Sequence, residues 1–122
     1  MHCTLLHFGV AKYKQFINAN EYYSTAFHEA THSTMTKDRC DRKQEMIKPL
    51  EFGSEDYSKE ELVAELGSAF IMNSLGLETT RTFKNSTAYI QSWIKVLRND
   101  VKFIVSASSK AEKAVKYILN QE

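Results

Sequence analysis

Between residues 58 and 119 the apolar positions recur every three or four residues, the period of a helix that buries one face. Leu62, Leu66, Ala69 and Phe70 form the first stripe. Ser58 opens it as the serine of an S-x-x-E capping box completed by Glu61, and Gly76 follows Leu75 as a stop. Tyr89, Ile90, Trp93, Ile94 and Leu97 form a second, on a helix predicted to start near Asn85 or Ser86 and to end near Asn99. Ile104, Val105, Ala111, Ala114, Val115, Ile118 and Leu119 form a third, between Val101 and Leu119, and together with Trp93 are expected in the core. Upstream, Ala19 to Met35 contains neither glycine nor proline, and Asn18 with Glu21 reads as a capping box, which predicts a further helix. Lys37 to Gly53 is a charged connector with room for a short strand or hairpin around Met46 to Phe52, confined by Pro49 to a sheet edge. Thr4 to Val10 has strand character, although Met1 to Ile17 reads equally as an irregular arm. The expected fold is therefore α+β and mainly α: about four helices with a small or partial β-sheet.

Composition narrows the picture. At 122 residues the chain is expected to be one domain, 1–122, with a single modest core. Sixteen basic residues against fifteen acidic ones leave a net charge of +1, too little for a global field that recruits nucleic acid or an anionic membrane. No stretch reads as a membrane span or a signal peptide, so the expected location is the cytoplasm, with Cys3 and Cys40 as free thiols. His2 and His7 lack partners at ligand spacing. The basic side chains Lys37, Arg39, Arg42, Lys43 and Lys48 read as a solvated loop, with contact to phosphates as the less favoured alternative.

The chemistry concentrates in His28, Glu29 and His32, an HExxH run inside the first predicted helix. Residues four apart project from one face, so both imidazoles can reach one tetrahedral ion. Glu29 is turned about 100° from His28 by the helical period, beside the ion rather than on it. A carboxylate there can take a proton from water activated at the metal and pass it to a leaving amine. Two surface histidines on an amphipathic helix are the ordinary alternative.

Such a site needs a third protein ligand. No histidine follows His32, and Cys40 lies close by in a charged loop where a thiolate would blunt the Lewis acidity. The second helix offers Glu60, Glu61 and Glu65. With Leu62, Leu66, Ala69 and Asn73 turned to the core, Glu61 and Glu65 flank that face and Glu60 points to water. Glu61 is then the expected ligand, and Glu65 either receives the spare imidazole N–H of a ligand histidine or is itself the ligand. Alternatively Glu61 merely closes the capping box.

The runs YYSTAFHEATHSTMTKDRCDR, FGSEDYSKEELVAELGSAF and AYIQSWIKVLRND, with the closing Ala-rich helix, together resemble the zincin-like metallopeptidase domain at the C-terminus of ArdC-type antirestriction proteins and related plasmid primases. The likeness covers about Phe16 to the C-terminus. It implies a gluzincin-like fold carrying Zn2+ on His28 and His32, Glu29 as general base and Glu61 as third ligand. The family often has Leu-Ala-His-Trp-Thr-Gly around the end of the motif, where this chain has Ala-Thr-His-Ser-Thr-Met. Full-length members bind single-stranded DNA through an N-terminal domain. The chain is thus expected to be a C-terminal piece of a larger protein, meeting such DNA only through that missing domain.

The resemblance implies a zinc-dependent metallopeptidase domain of an antirestriction or mobile-element protein, acting on a protein or peptide with no membrane partner. Tyr57 is a candidate donor to the oxyanion, with packing as its ordinary role. The alternative is a non-catalytic antirestriction or DNA/protein-interaction module with a structural or vestigial metal site.

Overall fold

The computed structural model describes residues 19–45 and 54–121. Four helices organise them: α1 (Ala19–Ser33), α2 (Glu55–Ser74), α3 (Thr80–Val96) and α4 (Val101–Ile118), with a 3-10 turn at Arg42–Glu45 between the first two. The mainly helical expectation holds, and no strand occurs among the described residues. The strand at Thr4 to Val10, the hairpin at Met46 to Phe52 and the cap at Asn18 fall outside them.

Helix α2 is central and packs against the other three. It starts four residues earlier than its sequence suggests. Ser54, not Ser58, is the N-cap, and its hydroxyl accepts the Tyr57 N–H at 3.1 Å. Ser58 is instead buried within the helix, its hydroxyl donating to the Ser54 carbonyl at 3.0 Å. Glu61 therefore lies in the second turn, too far along to close a capping box. The predicted single apolar stripe is also too narrow. Glu60, Ala64, Gly67 and Ile71 make a second buried row because α1 covers that side, whereas Phe70 is 39% exposed. The helix ends as expected. Gly76 takes φ +68°, and the Leu77 N–H reaches the Met72 carbonyl at 2.9 Å in a Schellman motif.

Helix α3 likewise begins earlier than Asn85, at Thr80. Thr79 and Thr82 form a capping box with threonine at both ends. Val105, predicted as core, is 64% exposed, and Tyr89, on the second predicted stripe, is 59% exposed, since α4 and α3 turn those positions outward. The core is built from Leu62, Val63, Leu97, Ala107 and Ala111, with Leu66, Ile90, Trp93, Ile94 and Phe103 packed on it. Among the described residues no helix is long and apolar enough to cross a membrane.

Helices α1 and α2 cross at close range where both carry small side chains. The Ser68 hydroxyl donates to the Ser24 carbonyl at 2.6 Å. A Cβ on Gly67 would fall 2.6 Å from the Thr31 methyl carbon. Glycine at that position is what allows the backbones to approach. Beyond α1 the chain folds straight back: the Cys40 N–H meets the Thr34 carbonyl at 2.7 Å and the Arg42 N–H meets the Met35 carbonyl at 3.0 Å. This turn lays Arg42 across the end of α1 and against the start of α2.

Candidate metal centre

The crossing brings together His28 and His32 from α1 and Glu61 from α2. The two imidazole Nε2 atoms are 3.1 Å apart. His28 Nε2 is 3.2 Å from Glu61 Oε2, and His32 Nε2 is 3.1 Å from Glu61 Oε1. Three potential ligand groups thus meet in a triangle, in which each imidazole Nε2 faces a different oxygen of Glu61. Bonds of roughly 2.0–2.1 Å at tetrahedral angles separate neighbouring zinc ligands by roughly 3.3 Å. The facing distances lie within a few tenths of an ångström of that spacing, so the donor set of two imidazoles and a carboxylate fits zinc.

The outward nitrogens are also occupied by carboxylates. His28 Nδ1 lies 2.9 Å from Glu65 Oε1, and His32 Nδ1 lies 2.9 Å from Glu60 Oε2. A carboxylate on each Nδ1 holds a proton there, which leaves Nε2 as the nitrogen that faces the triangle and can bind an ion there. Glu65 therefore sits on the far side of His28 from the triangle. Glu60 does not point to water: it is 4% exposed and ion-paired with Arg42 at 2.7 Å. Arg42, read from sequence as a solvated loop residue, is equally buried. A buried charge needs a partner, and each supplies the other's. Arg42 and Glu60 are the residues sequence reasoning missed. The available signal was the row Glu60, Ala64, Gly67, Ile71, whose small members mark a second packed face.

The electrostatics follow from this crowding. Burial alone would lower the His28 pKa, but hydrogen bonds and charge from Glu61 and Glu65 raise it to about 10. His32 is similarly lowered by burial and raised, on balance, to about 9 by Glu60 and Glu61. Burial pushes Glu61 up, yet the two histidines hold it at about 2. Burial opposes ionisation of Glu60 too, and hydrogen bonds from Arg42 and His32 bring it below its usual value. The site attracts positive charge strongly, whether protons or a metal ion.

Glu29 lines two clefts. One, of about 610 Å³, also borders His32, Glu61, Tyr57, Met35 and Arg39. The other, of about 400 Å³, borders His28, Glu65, Thr25 and Tyr89. Tyr57 stands inside α2, its ring edge-on to Trp93 at 5.8 Å between centroids. Burial raises its phenol pKa, as do the charge of Glu61, a hydrogen bond with it, and the charge of Glu29. The phenol thus keeps its proton beside the site and packs on the core at once. Cys40 is a free thiol turned toward the Lys113 carbonyl of α4.

No solved structure matches the chain. Two proteins named DNA primase TraC from Escherichia coli are 41% and 39% identical to it over 105 residues, 86% of this chain. An uncharacterized protein y4eC from Sinorhizobium fredii (strain NBRC 101917 / NGR234) is 33% identical over 116 residues, 95% of this chain. The chain spans only 9% and 7% of the two primases' length and 36% of the third protein's. The family model described as zincin-like metallopeptidase matches residues 7–110. That match takes in both helices of the triangle and most of the chain's length, and the chain belongs to the zincin-like metallopeptidase family.

Proposed function

We propose that this chain is a zinc-dependent peptidase domain in which His28, His32 and Glu61 hold the ion and Glu29 moves the proton. The observation that carries this reading is the meeting of both Nε2 atoms and the Glu61 carboxylate at 3.1–3.2 Å, compatible with one tetrahedral ion. Zinc bound there would lower the pKa of an attacking water toward about 7 and polarise the scissile carbonyl. Glu29, on the next position of α1 and open to both clefts, takes the proton of that water on its carboxylate and returns it to the leaving amine. Tyr57, kept protonated, donates its O–H toward the oxygen on which negative charge develops. Glu65 orients His28 rather than binding the ion itself.

The substrate class is a polypeptide laid across Glu29. The resemblance to ArdC-type proteins, with two relatives named DNA primases, supports a role in an antirestriction or mobile-element protein of the cytoplasm. Cleavage of an unfolded protein substrate by the zinc-loaded chain is expected, and Glu29→Gln abolishes it while zinc content stays unchanged. Cleavage that persists in that variant removes Glu29 from the chemistry. If the variant instead blocks a restriction enzyme as well as the unaltered chain does, the domain works by binding and its metal site is structural.

A further inference from the structure

The Arg42 guanidinium makes more contacts than an ion pair needs. Its Nε donates to Glu60 Oε1 at 2.7 Å and one terminal nitrogen donates to Glu60 Oε2 at 2.9 Å, a two-pronged grip on both oxygens. The same nitrogen reaches the Thr31 carbonyl at 2.9 Å, and the other donates to the Thr34 hydroxyl at 2.7 Å. Thr31 and Thr34 flank His32 at the end of α1. Burying two full charges is costly, and apolar side chains could anchor this turn at least as well. What apolar side chains could not do is fix the plane of a carboxylate.

That plane bears on His32. With both Glu60 oxygens held by Arg42, Oε2 has one lone-pair direction left, and it meets His32 Nδ1 at 2.9 Å. An ionised carboxylate only accepts, so Nδ1 must donate, and Nε2 is the nitrogen that offers a lone pair to the triangle once an ion displaces its proton. His28 is held differently. Its carboxylate, Glu65, carries no arginine among the described residues and borders the smaller cleft. We infer that Arg42 is a positioning residue for the metal centre: acting through Glu60, it locks His32 in the orientation and tautomer that present Nε2 to the ion. The inference rests on the zinc site proposed for His28, His32 and Glu61.

The test is zinc affinity of the 122-residue chain, measured by competition with a chromophoric chelator. Glu60→Gln and Arg42→Met should each weaken zinc binding by about 10–100-fold, the usual effect of removing a partner behind a ligand. The amide that replaces the carboxylate has a single acceptor oxygen, which Arg42 claims. Because Arg42 acts through Glu60, the double variant should bind no more weakly than Glu60→Gln alone. Arg42→Lys keeps a buried positive charge and guards against a failure to fold. It should still lose affinity, since an ammonium cannot grip both oxygens in one plane. In the zinc-loaded wild type, His32 should show a slowly exchanging Nδ1–H in proton–nitrogen NMR spectra. Wild-type affinity in both Arg42 variants, losses that multiply in the double variant, or a rapidly exchanging His32 Nδ1–H in the zinc-loaded wild type would each overturn the inference while leaving the zinc site standing. A wild-type chain that takes up no zinc would bring down both.

Discussion

Two imidazoles and a carboxylate packed at little more than 3 Å form a centre whose charge state depends on what occupies it. In the metal-free chain His28 and His32 are raised from 6.5 to about 10 and about 9. Groups raised in this way contribute stability that is complete below pH 6.5 and lost as the pH climbs through 9 and 10. Glu61, lowered from 4.5 to about 2, contributes in the opposite sense: its share is present above pH 4.5 and lost as the pH falls through 2. Thermal unfolding in excess chelator should therefore show a plateau between about pH 4.5 and 6.5 and a falling Tm from there to pH 10. With zinc bound, the lone pairs no longer await protons, and the alkaline fall should flatten. A chelated chain whose Tm rises between pH 7 and pH 10 would contradict these charge states. Zinc must also displace those protons, so its affinity should weaken steadily as the pH is lowered toward 6.

The close approach of α1 and α2 converts this chemistry into a demand on packing. Gly67→Ala puts a methyl group 2.6 Å from Thr31 Cγ2 and 2.7 Å from Thr31 Oγ1, in a fully buried pocket. Overpacking of this kind costs about 1–3 kcal/mol, while alanine in a helix returns at most about 1 kcal/mol over glycine. The clash should win, because the Thr31 hydroxyl is already committed to the Phe27 carbonyl at 2.8 Å and has no open space to turn into. The expected result is a lower denaturation midpoint, part of which Thr31→Ala in the same chain recovers. Unchanged stability in Gly67→Ala would mean that the helices do not cross so closely. Sequence made the helices, the His28–Glu29–His32 run and the two flanking glutamates legible, because period and spacing are local properties. It did not show α2 as a helix buried on two sides. A centrally placed helix loses the single apolar stripe that marks a surface one, so Glu60 looked like a solvent residue. Arg42 was hidden for a related reason. Its burial depends on a backbone reversal through Asp41 at φ 53°, and no apolar pattern announces that turn.

The four helices do not share the work equally. Helix α2 carries the core on one side and Glu60, Glu61 and Glu65 on the other, so an ion on the triangle fastens α1 to the element around which everything else packs. Metal removal should then be felt as global loss of stability. Zinc at 100 times its Kd should add about 2.7 kcal/mol to unfolding, and a chelator should remove it. A stability change confined to α1 in amide exchange would instead show the centre to be an appendage. The most direct measurement is the zinc content of the purified chain after zinc reconstitution and desalting, alongside His32→Ala and Glu61→Gln. One zinc per chain in the wild type and little in either variant is the predicted result. Zinc well below one per chain in the wild type, or full retention in both variants, would contradict the assignment of His28, His32 and Glu61 to a single ion.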